Sequence, residues 1–266
     1  MFYSIRSTAR TFTNLGVELP AACTQALELA DAITEATTTT AAADLNQGIT
    51  DGTVTPANVV KKLREAAQAM LIAERLPQAA QATESALTLA FNAGIRDNAD
   101  NIIEQLREPF NAAAATITTA GRHFHPEANA ATVLAAGVEA ATAWQDLTEA
   151  RNTLAQIRNA RTILADLERD HTNPALFYVA GPLSTQDVWN VQSNWGGAGD
   201  FFHQVTHEGY SLSLNTSEEA QAIERAALSA AEREAANTAA AARRKNEADP
   251  HSEPAIRKAM IDAARG

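Results

Sequence analysis

The stretch PEANAATVLAAGVEAATAWQDLTEARNTLAQIRNARTILADLERD, residues 126–170, decides how the rest of the chain is read. After Pro126 it holds no proline and a single glycine, Gly137. Its apolar residues recur at three- and four-residue steps, the period of one helical face. With Val133, Ala140, Leu147, Leu154 and Arg161 as heptad a positions, the d positions are Ala136, Ala143, Ala150, Ile157 and Leu164. The pattern predicts one helix of about 43 residues, spanning roughly 65 Å at 1.5 Å per residue. A helix that long needs lateral packing, because propensity alone stabilises few helices in water. Alanine at so many seam positions permits close approach, and Arg161 puts one charge in the seam. The stretch fits a coiled-coil arm or a plain bundle helix, with a bend near Gly137.

Downstream, residues 171–215 change character. They hold Phe177, Tyr178, Trp189, Trp195, Phe201, Phe202 and Tyr210, half of the chain's aromatics, together with Gly181, Gly196, Gly197, Gly199 and Gly209. Residues 175–180 read as a short strand or extended piece, residues 184–187 as a helix start, and residues 200–207 as a short helix. A second helical run begins at Thr216, where Thr216 and Glu219 have the spacing of a capping box. The economical topology is a helical hairpin, with residues 171–215 at its tip and the second run folded back along the first. After Pro250, Ser252 starts a short final helix with Ile256, Met260 and Ala263 on one side.

Upstream, residues 1–19 show no clean period and fit an irregular arm or a short docking helix. Pro20 opens a helix bearing Cys23, Leu27, Ala30 and Ile33 on one face; it weakens in the threonine run 37–40. Residues 46–55 read as a loop. Thr55-Pro56 marks the next helix start, with Val59, Leu63, Ala66, Met70 and Ala73 as its stripe. Pro77 ends or kinks it. A further helix runs to about Ala93, with Gly94 at the left-handed C′ position. Asp97 caps the following helix, which Pro109 interrupts. The chain therefore reads as mainly all-α. Its parts are an N-terminal helical bundle (1–125), a long first arm (126–170), an aromatic, glycine-rich irregular tip (171–215) and C-terminal helices (216–266).

Composition narrows the function classes. Net charge is −11, but residues 1–17 and 243–266 each carry +2, which leaves −15 on residues 18–242. A body this acidic repels phosphate backbones, so nucleic acid is not an expected partner. The lone cysteine, Cys23, forms no intramolecular disulfide and reads as a small buried hydrophobe. No run of about 18 apolar residues suggests a membrane span, and the start lacks the apolar stretch of a secretory signal. The expectation is a cytoplasmic protein or part of an assembled particle.

Little in the sequence carries chemistry. His203 and His207 lie four residues apart, so on a helix they share a face that suits a metal. Their spacing is that of the zinc-hydrolase motif HExxH, but Gln204 replaces the glutamate, and an amide is no general base. Asp200, Glu208 or His171 would have to supply a third ligand. His123 and His125 form a second pair. There is no phosphate-binding loop, dinucleotide fingerprint, zinc cysteine pair or nucleophile elbow, and no cofactor is expected; Gly196-Gly197-Ala198-Gly199 lacks the lysine of a phosphate cradle. Trp195-Gly196 invites comparison with the tryptophan–glycine turn of the small secreted WXG hairpins. There the motif joins two helices directly. Here it lies inside a long segment, and Leu214 stands four residues after Tyr210 where an acid is required, so the chain is not assigned to that family.

These readings converge on a non-enzymatic, helical structural or interaction protein: a scaffold, adaptor or assembly component, compatible with a phage or secretion particle. Protein partners, self-association included, would contact the helical faces and the aromatic tip. Trp189, Trp195, Phe201, Phe202 and Tyr210 are the candidate partner-binding residues, with Trp195 the expected exposed anchor; the same aromatics would equally serve as a mini-core. The alternative is a metal-binding protein or metal-dependent hydrolase centred on His203 and His207.

Overall fold

The structure, a computed structural model, describes residues 3–37, 47–195, 200–248, 256–257 and 259–262. It is mainly all-α: among the described residues there is no strand, and one isolated antiparallel bridge joins Val179 to Leu212. The helices are α1 (Tyr3–Thr13), α2 (Ala21–Thr37), α3 (Val59–Arg96), α4 (Ala99–His123), α5 (Ala130–Ala135), α6 (Val138–Glu168), α7 (Thr185–Trp195), α8 (Phe201–His207) and α9 (Ser217–Ala248), with a 3-10 turn at Pro174–Tyr178. The described parts of the C-terminal segment, 256–257 and 259–262, are helical and exposed. The expected start at Ser252, the threonines 38–40, Ala263 and the glycines 196–199 lie outside the described residues. By internal contacts the chain forms two compact units, one of Met1–Phe110 and Arg151–Asp170, the other of Asn111–Ala150 and His171–Gly266.

In the first unit, residues 1–19 resolve into a docking helix, with Ile5, Ala9 and Phe12 buried along one side of α1. Arg6 pairs with Asp31 of α2 and donates to Thr34 Oγ1. Helices α2 and α3 pack along each other. A Cβ built at Gly94 would lie 2.8 Å from Cys23 Sγ, so glycine permits this approach. That corrects the C′ role expected of Gly94, which sits inside α3. Helix α3 also runs through Pro77 without ending there, and α4 continues through Pro109 to His123. An internal proline costs about 3 kcal/mol. At Pro109 the fully buried neighbours Leu106 and Phe110 offset it, since burying each stabilises by about 1.5–3 kcal/mol. The first turn of α3 starts at Val59, after a turn in which Asn58 Oδ1 accepts from Thr55 N–H at 2.7 Å. Asn98 lies at the start of α4, its carbonyl accepting from Ile102 N–H, whereas Asp97 is the C-cap of α3.

Burial pushes the Cys23 thiol up to about 11 from its ordinary 9.0. The protonated form is thus held in the folded state, and this stability is lost as pH rises above 9 toward 11. We expect Cys23 to react with a disulfide reagent at pH 8 only through opening of this unit, at a rate that climbs with denaturant. A rate in buffer equal to that in denaturant would contradict its burial.

The decisive stretch itself is interrupted. Gly137 adopts φ +105° and separates α5 from α6. Asn129 caps α5, its side chain accepting from Thr132 N–H at 3.0 Å. Helix α6 has 31 residues, roughly 47 Å. The expected seam is nevertheless the buried stripe: every a and d position from Val133 to Leu164 is buried except Ala136. Arg161 has no exposed surface, and its Nη1 lies 3.4 Å from Glu168 Oε2.

In the second unit, α9 begins with the capping box read from the sequence: Thr216 N–H donates to Glu219 Oε2 at 2.8 Å, and Glu219 N–H to Thr216 Oγ1 at 3.2 Å. Its first turns pack on the 3-10 turn and on α7, with Ala220 and Ala227 buried and Gly181 close against Ile223. From Leu228 to Arg244 nearly every residue is exposed. Within α9, beyond Leu228, alanines alone supply an apolar face.

Candidate functional site

Residues 171–215 build a closed aromatic cluster before they present any surface. Asn173 Oδ1 caps the 3-10 turn by accepting from Ala175 N–H, so residues 174–178 are a tight turn, and of the expected strand or extended piece Val179 is extended and bridged to Leu212. The turn buries Leu176, Phe177 and Tyr178. Trp195 stacks on Tyr178 at 5.3 Å with the planes 14° apart and meets Phe201 edge-on at 5.0 Å. Phe202 meets Tyr178 edge-on at 5.4 Å. Such pairs add about 0.5–1.5 kcal/mol each beyond their buried area. Asn215 ties the cluster shut. It is buried, and its Nδ2 donates to the Leu176 carbonyl at 2.7 Å and the Val179 carbonyl at 2.8 Å.

The five candidate residues therefore separate. Phe201 and Phe202 are buried in the cluster and Trp195 is half-buried there. Trp195 is not the exposed anchor, because Tyr178 covers one face of its ring. The exposed ring is Trp189, at 64%. Tyr210, half-buried, stands beside it at the rim of the same groove. Gly209, at φ +93°, ends α8 and returns the chain to α7, with Tyr210 N–H donating to the Val205 carbonyl.

That groove, about 490 Å³, is lined by Trp189, Asn190, Ser193, Asn194, Glu208 and Tyr210. Ser184 and Asp187 set its register through a capping box: Ser184 N–H and Oγ–H both donate to Asp187 Oδ2, at 2.9 and 2.7 Å. Asp187 Oδ1 accepts from Tyr210 O–H at 3.0 Å, while Tyr210 Oη accepts from Asn190 Nδ2 at 3.2 Å. Glu208 accepts from Asn194 Nδ2 at 2.7 Å and from Gln204 Nε2 at 2.8 Å. Hydrogen bonds from Ser184, chiefly from its hydroxyl, and from Tyr210 hold the Asp187 carboxyl below its ordinary 3.8. Burial, and Asp187 beside it, raise Tyr210, so it remains a donor at neutral pH.

A depressed folded pKa adds stability above the unfolded value that is lost as pH falls through the folded one. Below about pH 4 the wild type should lose stability faster than Asp187→Asn, read from tryptophan fluorescence in denaturant. Parallel pH profiles would contradict the Ser184–Asp187–Tyr210 network.

The histidines separate as well. His203 is fully buried with its ring edge-on to Phe124 at 5.5 Å. His207 is exposed, with Nδ1 3.4 Å from the Gly121 carbonyl and its ring 4.7 Å from His125. Asp200 caps α8, and Glu208 is engaged by two amides. Among the described residues, no three His, Cys, Asp or Glu side chains gather as a metal would require.

Asn190, Ser193 and Asn194 were not legible as site residues. Their signal was the paired spacing Trp189–Ser193 and Asn190–Asn194, which puts both pairs on adjoining strips of one helix. The first unit carries a separate exposed apolar face: Val59, Val60, Leu63, Met70 and Leu71 share one side of α3, and the last four are each more than half exposed. No helix among the described residues is long and apolar enough to cross a membrane. Comparison with protein-family models, curated proteins and solved structures found no match.

Proposed function

We propose that this chain is a non-enzymatic, helical interaction protein, a scaffold, adaptor or assembly component, that works by binding other protein chains. The observation carrying this reading is the exposed apolar face of α3, where Val60, Leu63, Met70 and Leu71 lie open on a single helix. Scattered apolar residues are ordinary on a surface, but a contiguous stripe marks a contact. The Trp189 groove is a second, more polar surface that supports the reading, since tryptophan is a favoured interface anchor.

Site-specific photo-crosslinking in the source cells tests this. A photoreactive residue at Leu63 or Trp189 should give discrete protein adducts, while one at the exposed Glu149 should not. Adducts equally weak at all three positions would overturn the reading.

A further inference from the structure

We propose that the Trp189 groove is a guanidinium site, occupied by an arginine side chain that a separate partner protein presents. The inference rests on the interaction reading above and names the chemistry of one of its surfaces.

Charge is the first argument. From residue 170 to residue 224 the chain has seven acidic side chains, Asp170, Asp187, Asp200, Glu208, Glu218, Glu219 and Glu224, and not one lysine or arginine. A phosphate, sulfate or carboxylate ligand meets repulsion here, and a cation meets attraction.

Hydrogen-bond inventory is the second. The hydroxyl hydrogens of the lining are spent internally: Tyr210 O–H on Asp187, and Ser193 Oγ–H on the Trp189 carbonyl at 2.9 Å. Asn190 and Asn194 each commit an amide N–H, to Tyr210 and Glu208. The groove still offers acceptors in the Glu208 carboxylate, the Asn194 Oδ1 and the Ser193 lone pairs, beside the remaining N–H groups of Asn190, Asn194 and the Trp189 indole. Guanidinium has five N–H donors and no acceptor.

Shape is the third. The open indole of Trp189 gives a flat face on which a planar guanidinium stacks, and cation–π attraction is strongest for tryptophan. Glu208 flanks the same groove and offers carboxylate oxygens to the edge of the stacked group. A lysine ammonium fills neither geometry as well.

The test uses the full-length protein and nuclear magnetic resonance, following the indole N–H of Trp189 and the side-chain amides of Asn190 and Asn194. The probes are a five-residue glycine peptide with a central arginine, its lysine and citrulline counterparts, and maltotriose. The arginine peptide should shift these signals saturably and bind at least tenfold more tightly than the citrulline peptide. Glu208→Gln should weaken it about tenfold, and Trp189→Ala should abolish it without altering the fold, because Trp189 lies outside the aromatic cluster. Equal binding of arginine and citrulline peptides, or shifts from maltotriose alone, would overturn the proposal. So would concentration-dependent shifts without peptide that vanish in Arg243→Glu/Arg244→Glu, since the occupant would then be a second copy. If no peptide binds while Leu63 still crosslinks to partners, the guanidinium site fails and the interaction reading stands.

Discussion

Arg161→Ala is expected to destabilise the unit formed by residues 1–110 and 151–170 by about 3–5 kcal/mol. The side chain is among the largest with no exposed surface, and it faces Glu168 from the seam of α6. Truncation leaves a cavity and takes the guanidinium away from a mostly buried carboxylate. The double change Arg161→Met/Glu168→Leu should recover most of the loss, because apolar side chains of similar volume replace buried ion pairs at little cost. All three tryptophans, Trp144, Trp189 and Trp195, belong to the other unit, so fluorescence does not report this unit from within. The Cys23 thiol reports it instead. Its protection from a disulfide reagent should fall roughly 100-fold or more in Arg161→Ala. A change under about fivefold would mean that Arg161 is not buried as described.

Asn215→Asp should strongly destabilise the second unit. The amide nitrogen that now donates to two carbonyls becomes an oxygen facing both of them. Each abandoned acceptor costs about 1–3 kcal/mol, and the buried carboxylate adds its own desolvation cost. A loss of roughly 3 kcal/mol or more at pH 7 follows, seen in the denaturation midpoint by tryptophan fluorescence. The sign of its pH dependence is specific. An aspartate here has a folded pKa raised above its unfolded value, so stability returns as pH falls through that folded value toward the unfolded one. Asn215→Asp should thus gain stability between pH 7 and 5, while Asn215→Ala, with nothing to titrate at this position, should not. Identical pH profiles would show that Asn215 does not close the aromatic cluster.

Periodicity made the helical class and the seam of residues 126–170 legible, because burial on a helix repeats every three to four residues whatever covers it. The breaks were harder. Gly94 followed by Ile95 has the pattern of a helix end, yet this glycine is there for the approach of Cys23, which is distant in sequence. Conversely α6 ends at Arg169 with φ 55°, and Asp170 N–H donates to the Ala165 carbonyl in a Schellman-type turn. No glycine marks that end, so local residue preference could not reveal it. In residues 171–215 the aromatic content pointed to the right segment. Which ring faces water depends on pairings such as Tyr178 with Trp195, and a sequence holds no record of stacking. The groove needed one more step, since Glu208 and Tyr210 reach α7 only through the turn at Gly209.

The most direct measurement is fluorine resonance of protein labelled with 5-fluorotryptophan, each signal assigned by a Trp→Phe variant. Of Trp144, Trp189 and Trp195, only Trp189 should show a large solvent-isotope shift and strong broadening by a soluble paramagnet, with Trp195 sheltered on Tyr178. If Trp195 were the more exposed ring, the closed aromatic cluster and the groove it supports would both be contradicted.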